Sequence, residues 1–317
     1  MSDEKKEILR RDFLRGAAGV ALAGSLAGLK AAPDPQQKEG SQKPGDSPNP
    51  APVPPPGKRS KVVLVRHKEA LTAEGKPNGP VIQKMLDDAV AALFDERDPL
   101  VAWKKVVSPS DTVGIKTNVW RFIPTTTEVE EAIRRRVIDA GVPADRIAID
   151  DRGVLGNPIF RKATALINAR PMRTHHWSGV GSLLKNYIMF VEEPSTWHGD
   201  SCADLGGLWD LPIVKGKTRL NVLVMFTPLF QSKGPHDFSP KYTWPYGGLL
   251  VGIDPVATDA TGLRIIKAKR REFFGEDQPF EVPPKHIEVA EKKFSLGVAD
   301  PSRIDLVRLG WPEGVLI

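Results

Sequence analysis

Cysteine is almost absent from this chain of 317 residues: Cys202 is the only one. A lone cysteine excludes an intramolecular disulfide, a zinc site built from cysteines alone, and an iron–sulfur cluster held by several cysteines of this chain. Charge of one sign is also scarce. The 45 Lys and Arg exceed the 39 Asp and Glu by six; residues 1–30 carry +2 of that excess and residues 31–60 carry +1, so only +3 remains for residues 61–317. The basic runs Arg134-Arg135-Arg136 and Lys267 to Arg271 fall on predicted helices, where such runs form a solvated face. No recognition motif accompanies them, so nucleic acid is not an expected partner. Internal repeats are lacking too. What is present, 40% hydrophobic and 26% charged residues, is an ordinary globular balance able to bury a sizeable core.

The first sixty residues carry an address and a tether. Arg10-Arg11-Asp12-Phe13-Leu14-Arg15 precedes Gly16 to Leu29, fourteen uncharged residues rich in Ala, Gly and Leu. This stretch is too short to span a bilayer comfortably as a helix. The arrangement of charged front, apolar stretch and small residues resembles a twin-arginine export signal over residues 1–30. That resemblance implies the twin-arginine translocase as a partner, folding before export, and a periplasmic or extracytoplasmic location, with a membrane tether if the signal stays uncleaved. No cysteine follows the apolar stretch, so lipid anchoring through it is excluded. Residues 31–57 contain nine of the 29 prolines, which predicts an extended linker with no core of its own.

From residue 58 to 317 the pattern predicts one α/β domain. Strands are expected at Lys61–Arg66, Asp111–Lys116, Arg146–Asp150, Leu220–Phe226, Leu249–Ile253 and Ile304–Arg308. Helices are expected at Val81–Phe94, Thr127–Asp139, Asn157–Ala169 and Val256–Lys267. Strands alternating with helices imply a mainly parallel sheet covered on both faces. The stretch from about 171 to 247, rich in Gly, Pro and aromatics, reads as a loop-rich central insertion.

In an open parallel sheet ligands bind beyond the carboxyl ends of the strands. Lys116 and Asn118, Asp150 and Asp151, and Asp254 with Asp259 follow three predicted strands and converge there on this reading. Asp254 before Pro255 also carries the signature of a helix N-cap. The densest polar stretch supplies His175, His176, Lys185 and Asn186, then His198, Asp200 and Asp204. Lysine in apolar surroundings, here Leu183, Leu184 and Ile188, suits a base or a Schiff-base former, or simply pairs with a carboxylate. His175, His198 and one of Asp150, Asp200 or Asp254 form a donor set chemically suited to a transition metal.

In this order, Val113-Gly-Ile-Lys116-Thr-Asn118, Ile149-Asp150-Asp151, Thr174-His175, Leu184-Lys185-Asn186, His198 with Asp204-Leu205, and Gly252-Ile-Asp254-Pro-Val-Ala257-Thr-Asp259-Ala260 resemble the DUF362 family, a domain without an assigned function. Some members carry a ferredoxin-like cysteine module, absent from this chain, which implies redox or metal chemistry in that family. The combined expectation is an exported enzyme with a metal- or cofactor-assisted site. Lys116, Lys185, Asn186 and Asp254 are its catalytic candidates, and Asp150, His175 and His198 its metal candidates. The alternative is a non-catalytic protein that holds a small anion, metal or cofactor for a redox partner. The export reading has a direct check in the intact mass of the protein recovered from its native compartment. A start near Gly28 or Ala32 would remove the tether, whereas an unprocessed start at Met1 outside the cytoplasm would leave it in place; recovery of the protein only from the cytoplasm would overturn the export reading.

Overall fold

The computed structural model describes residues 59–232 and 238–317, so the predicted signal and the linker lie outside the described residues. In chain order the elements begin β1 (Ser60–Arg66), α1 (Gly79–Leu93), α2 (Pro99–Val106), β2 (Val113–Lys116), α3 (Thr127–Asp139) and β3 (Ile147–Asp150). The middle consists of α4 (Pro158–Lys162), β4 (Ala165–His175), β5 (Gly179–Gly181), α5 (Leu183–Asn186) and the single turn α6 (Gly199–Cys202). The last elements are β6 (Thr218–Leu229), β7 (Gly248–Gly252), α7 (Pro255–Phe274), α8 (His286–Phe294) and β8 (Ile304–Gly310). Three helices open alike. Asp98, Asn157 and Asp254 each accept a backbone N–H of the first turn, and Pro99, Pro158 and Pro255 follow where a missing N–H costs nothing. No helix among the described residues is long and apolar enough to cross a membrane.

The strands form one sheet in the order β3-β2-β4-β6-β7-β1-β8, with β5 paired to β4. Parallel pairing joins β2 to β3 and β4, β4 to β6, and β1 to β8, while β7 runs antiparallel to β6 and β1. The fold is therefore α/β with a mostly parallel, mixed sheet. Alternation along the strands sends Val63, Val65, Val113, Ile115 and Val222 to a core shared with α1, α2 and α3. Val62, Leu64, Leu166, Leu223 and Leu250 face the other core, with α4, α5, α7 and α8. Each such side chain, fully withdrawn from water, contributes about 1.5–3 kcal/mol of transfer free energy before the entropy of ordering is counted. Both faces of the sheet are covered, as its pairing requires.

Two expectations need correction. The predicted helix Asn157–Ala169 stops at Lys162, and Ala165–His175 is the strand β4, hydrogen-bonded to both β2 and β6 in the middle of the sheet. Its pattern misleads because Asn168, Arg170 and Arg173 interrupt the apolar run, and Pro171 sits inside it. A proline is tolerated in a central strand only where the ladder is broken, and the pairing with β6 does shift between Pro171 and Arg173. The loop-rich insertion is accordingly narrower, lying between the end of β4 and the start of β6.

The second correction concerns Asp254. Because β7 is antiparallel, its carboxyl end lies beside the amino end of β1, at the opposite edge from Lys116 and Asp150. Asp254 is buried there as a structural hub. Oδ1 accepts the N–H groups of Val256 at 2.8 Å and Ala257 at 3.0 Å, and Oδ2 accepts the Ser60 hydroxyl at 2.5 Å and the Val298 N–H at 2.9 Å. Asp254→Ala strands those buried donors and is expected to lower the unfolding free energy by about 2–4 kcal/mol in urea titrations. A loss below about 1 kcal/mol would contradict the structural role.

Candidate functional site

Lys116 closes β2. Val113 and Ile115 point into the core of α1 to α3, so the two-residue period turns Lys116 to the α5 side. Fully buried, its Nζ donates to the carboxylate of Asp151, to the Thr117 carbonyl at 2.8 Å and to Asn186 Oδ1 at 3.4 Å. Burial still pulls its pKa down to about 8, against the opposing pull of Asp151. The carboxylate that serves the site is thus Asp151, which also accepts the Val119 N–H at 3.0 Å. Its neighbour Asp150 turns the other way and holds the following loop, accepting from Gly153 N at 2.9 Å and Asn157 Nδ2 at 3.2 Å.

An amide chain ties α5 to the sheet. Asn186 Nδ2 donates to Asn168 Oδ1 at 2.8 Å and to the Lys116 carbonyl at 3.2 Å. Asn168 in turn donates to the Leu183 carbonyl at 3.1 Å and Asn221 Oδ1 at 3.3 Å. From the far side Asp259 of α7 accepts the Ser182 hydroxyl at 2.6 Å and the N–H groups of Leu183 and Leu184, both at 2.9 Å. Burial pushes the Asp259 carboxyl up to about 7, although these donors and Arg170 favour its ionised form. The single turn of α5 is therefore clamped between β4 and α7, which fixes where Lys185 points.

Lys185 is 3% exposed, and its Nζ lies 3.4 Å from the Cys202 thiol, itself 3.4 Å from the Trp177 carbonyl. Burial brings the lysine down to about 8; the thiol opposes that shift while Arg170 and Arg173 reinforce it. Cys202 reaches this position through Asp200, Ser201 and Cys202, three consecutive residues at positive φ. Such backbone costs of order 1–3 kcal/mol per residue and persists only where its surroundings hold it; here Asp200 is tied to Lys285 at 2.5 Å.

Lys185 and Asn186 line a crevice of about 270 Å³ with His175 and His198, and with Asp151, Arg170, Arg173, Trp120 and Trp177. Lys116 stands one hydrogen bond behind it, through Asp151 and Asn186. Of the residues expected from sequence, the structure thus assembles Lys116, Lys185, Asn186, His175 and His198. It leaves Asp150 and Asp254 out. Burial, with Arg173 and Arg170, holds the His175 imidazole well below its ordinary range, and its Nδ1 accepts the Trp177 N–H at 3.2 Å. His198 is brought down to about 4 by burial and Lys185, with its ring centroid 4.0 Å from that of Trp177. Among the described residues no group of three or more His, Cys, Asp or Glu side chains is placed to hold a metal ion. With Asp150 committed to its own loop, the donor set Asp150, His175 and His198 does not fit one.

Sequence reasoning missed the two arginines. Arg170 and Arg173 are 3% and 6% exposed, and neither forms a salt bridge or a side-chain hydrogen bond among the described residues. The Nε of each is buried without a partner. Arg173 lies over the Trp120 ring at 4.2 Å, and a Cβ on Gly181 would come within 2.8 Å of Arg170 Nη2, so the glycine leaves the space that this guanidinium end occupies. His286 is likewise fully buried, with both ring nitrogens unpartnered and its proton affinity lowered to about 3 by burial, Lys185 and Arg170. The available signal was Arg170-x-x-Arg173, whose spacing reads as helical unless the break in the strand is known.

Two larger hollows, about 840 and 460 Å³, lie along α7. Of the cations lining them, Arg271, Lys285 and Lys292 pair with Asp277, Asp200 and Glu288 on the surface, while Arg264 and Lys267 line both; the smaller crevice is the one into which the buried Lys185, Asn186, Arg170 and Arg173 open. No family model, no curated protein and no solved structure matches the chain. Lysine-selective NMR should place the Lys185 midpoint near pH 8, below the ordinary lysine value of about 10.4. Arg170→Met, by removing a repelling cation, should move it upward. A midpoint above 10 in the unmodified protein would refute this electrostatic account.

Proposed function

We propose that this chain is an exported, DUF362-like protein whose crevice binds a small anion, with Lys185 placed to give or take a proton on the bound molecule. The observation that carries the reading is the pair Arg170 and Arg173, buried without carboxylate partners. Asp151 and Asp259 act on them only from beyond salt-bridge distance; a buried charge so incompletely compensated is unfavourable, so a fold that keeps two beside a crevice gains most when an anion enters. Lys185 adds a third cation, and Asp151 is already neutralised by Lys116. A lysine with its proton affinity lowered toward neutrality, beside an oxyanion and an orienting amide, is suited to general acid or base work. The gathering of Lys116, Asp151, His175, Lys185, Asn186 and His198, scattered in sequence, around one crevice supports a shared ligand site there. The metal-assisted version of the expectation lacks a fitting donor set and is not carried forward.

The decisive comparison is Arg170→Met against the unmodified protein, read by calorimetric titration with inorganic phosphate and by urea unfolding. Loss of at least about tenfold in phosphate affinity is expected, together with unchanged or higher stability, because an apolar chain replaces an unpaired buried charge. Unaltered affinity would sink the anion reading, and a clear drop in stability would make Arg170 a structural residue instead.

A further inference from the structure

The crevice lining joins two chemistries. Arg170, Arg173 and Lys185 supply positive charge, whereas Trp120, Trp177, Ile188, Met189 and Pro194 supply apolar surface. Trp177 is 48% exposed, unusual for so large a ring, yet it is braced by His198 and His176 at centroid distances of 4.0 and 4.2 Å. An exposed tryptophan held in place beside buried cations is suited to receiving a flat group rather than to filling a core. The volume, about 270 Å³, lies at the lower end for small-molecule sites and leaves room for little more than a head group and one ring. Three buried cations without carboxylate partners, with the exposed Arg152 in the same lining, match a doubly charged head group better than a single carboxylate.

We propose that the crevice recognises small single-ring aromatic compounds bearing a doubly charged oxyanion of the phosphoryl type, with the oxyanion among Arg170, Arg173 and Lys185 and the ring against Trp177. This rests on the anion-binding function proposed above and names its ligand class. Arg173, held flat on Trp120, lies where the two chemistries meet and contributes to both.

Phenylphosphonate and methylphosphonate share a head group and differ in the ring, so their ratio isolates the aromatic contribution. In calorimetric titrations of the full chain at pH 7 and low ionic strength, phenylphosphonate is expected to bind about ten-fold tighter than methylphosphonate. Trp177→Ala should bring that ratio close to one. Equal affinities in the unmodified protein would overturn the aromatic proposal and leave the anion site standing. A ten-fold ratio that survives Trp177→Ala would overturn the assignment of the ring to Trp177. Failure of both phosphonates to bind would remove the anion reading itself.

Discussion

Everything distinctive about this molecule follows from the constraint that β4 places on the sheet. A central strand is flanked on both edges by partners and covered on both faces, so its side chains ordinarily must be apolar. β4 instead carries Asn168, Arg170 and Arg173 into the interior. The amide is satisfied by Asn186, Asn221 and the Leu183 carbonyl. The guanidinium groups are not satisfied by carboxylates, and that imbalance distinguishes a site from a core. If these arginines served the fold alone, an aspartate or glutamate beside them would be the simplest compensation; the nearest acidic groups, Asp151 and Asp259, are instead engaged by Lys116 and by the turn that begins α5.

The surrounding structure maintains this imbalance by fixing geometry from two sides. The short helix α5 has too few hydrogen bonds to be stable alone, and its position is imposed by Asp259 from α7 and by the Asn168–Asn186 pair from β4. Lys185 therefore inherits its position from two elements far apart in sequence. The strained segment that supplies Cys202 serves the same end. A neutral thiol 3.4 Å from the ammonium gives the lysine a neighbour without giving it a counter-charge, so burial and the arginines still set its proton affinity.

Much of this was legible in the sequence, for definite reasons. β1, β2, β3 and α3 announce themselves because their periodicity matches the faces they bury, and Lys116, Lys185 and Asn186 stand where a strand end or an apolar flank isolates a polar group. The polar network hid β4 because Asn168, Arg170 and Arg173 break the apolar pattern by which a buried strand is recognised. Asp150 and Asp151 were not separable by composition, since adjacent residues at a strand end point to opposite sides and only the coordinates show which faces Lys116. His286 gave no signal, because a single histidine on a short helix near the end of the chain looks like any other until its two nitrogens are found buried and unpartnered.

Asp254 shows how one strand direction alters the reading of a site. Its motif, an aspartate followed by Pro255 after an apolar run, is equally good as a catalytic carboxylate or as a helix cap, and convergence at the carboxyl edge follows only if β7 is parallel. The pairing of Val62 with Gly252 and of Arg66 with Gly248 makes it antiparallel, which moves the carboxylate to the other edge and gives it Ser60 and Val298 as partners. α7 thus begins at one edge of the sheet with Asp254 and reaches α5 one turn later with Asp259. The two carboxylates are five residues apart on one helix and both buried, yet one stabilises the helix start and the other anchors the turn that carries Lys185. What separates their roles is the direction of the strand before them, a property of topology that spacing within the motif does not encode.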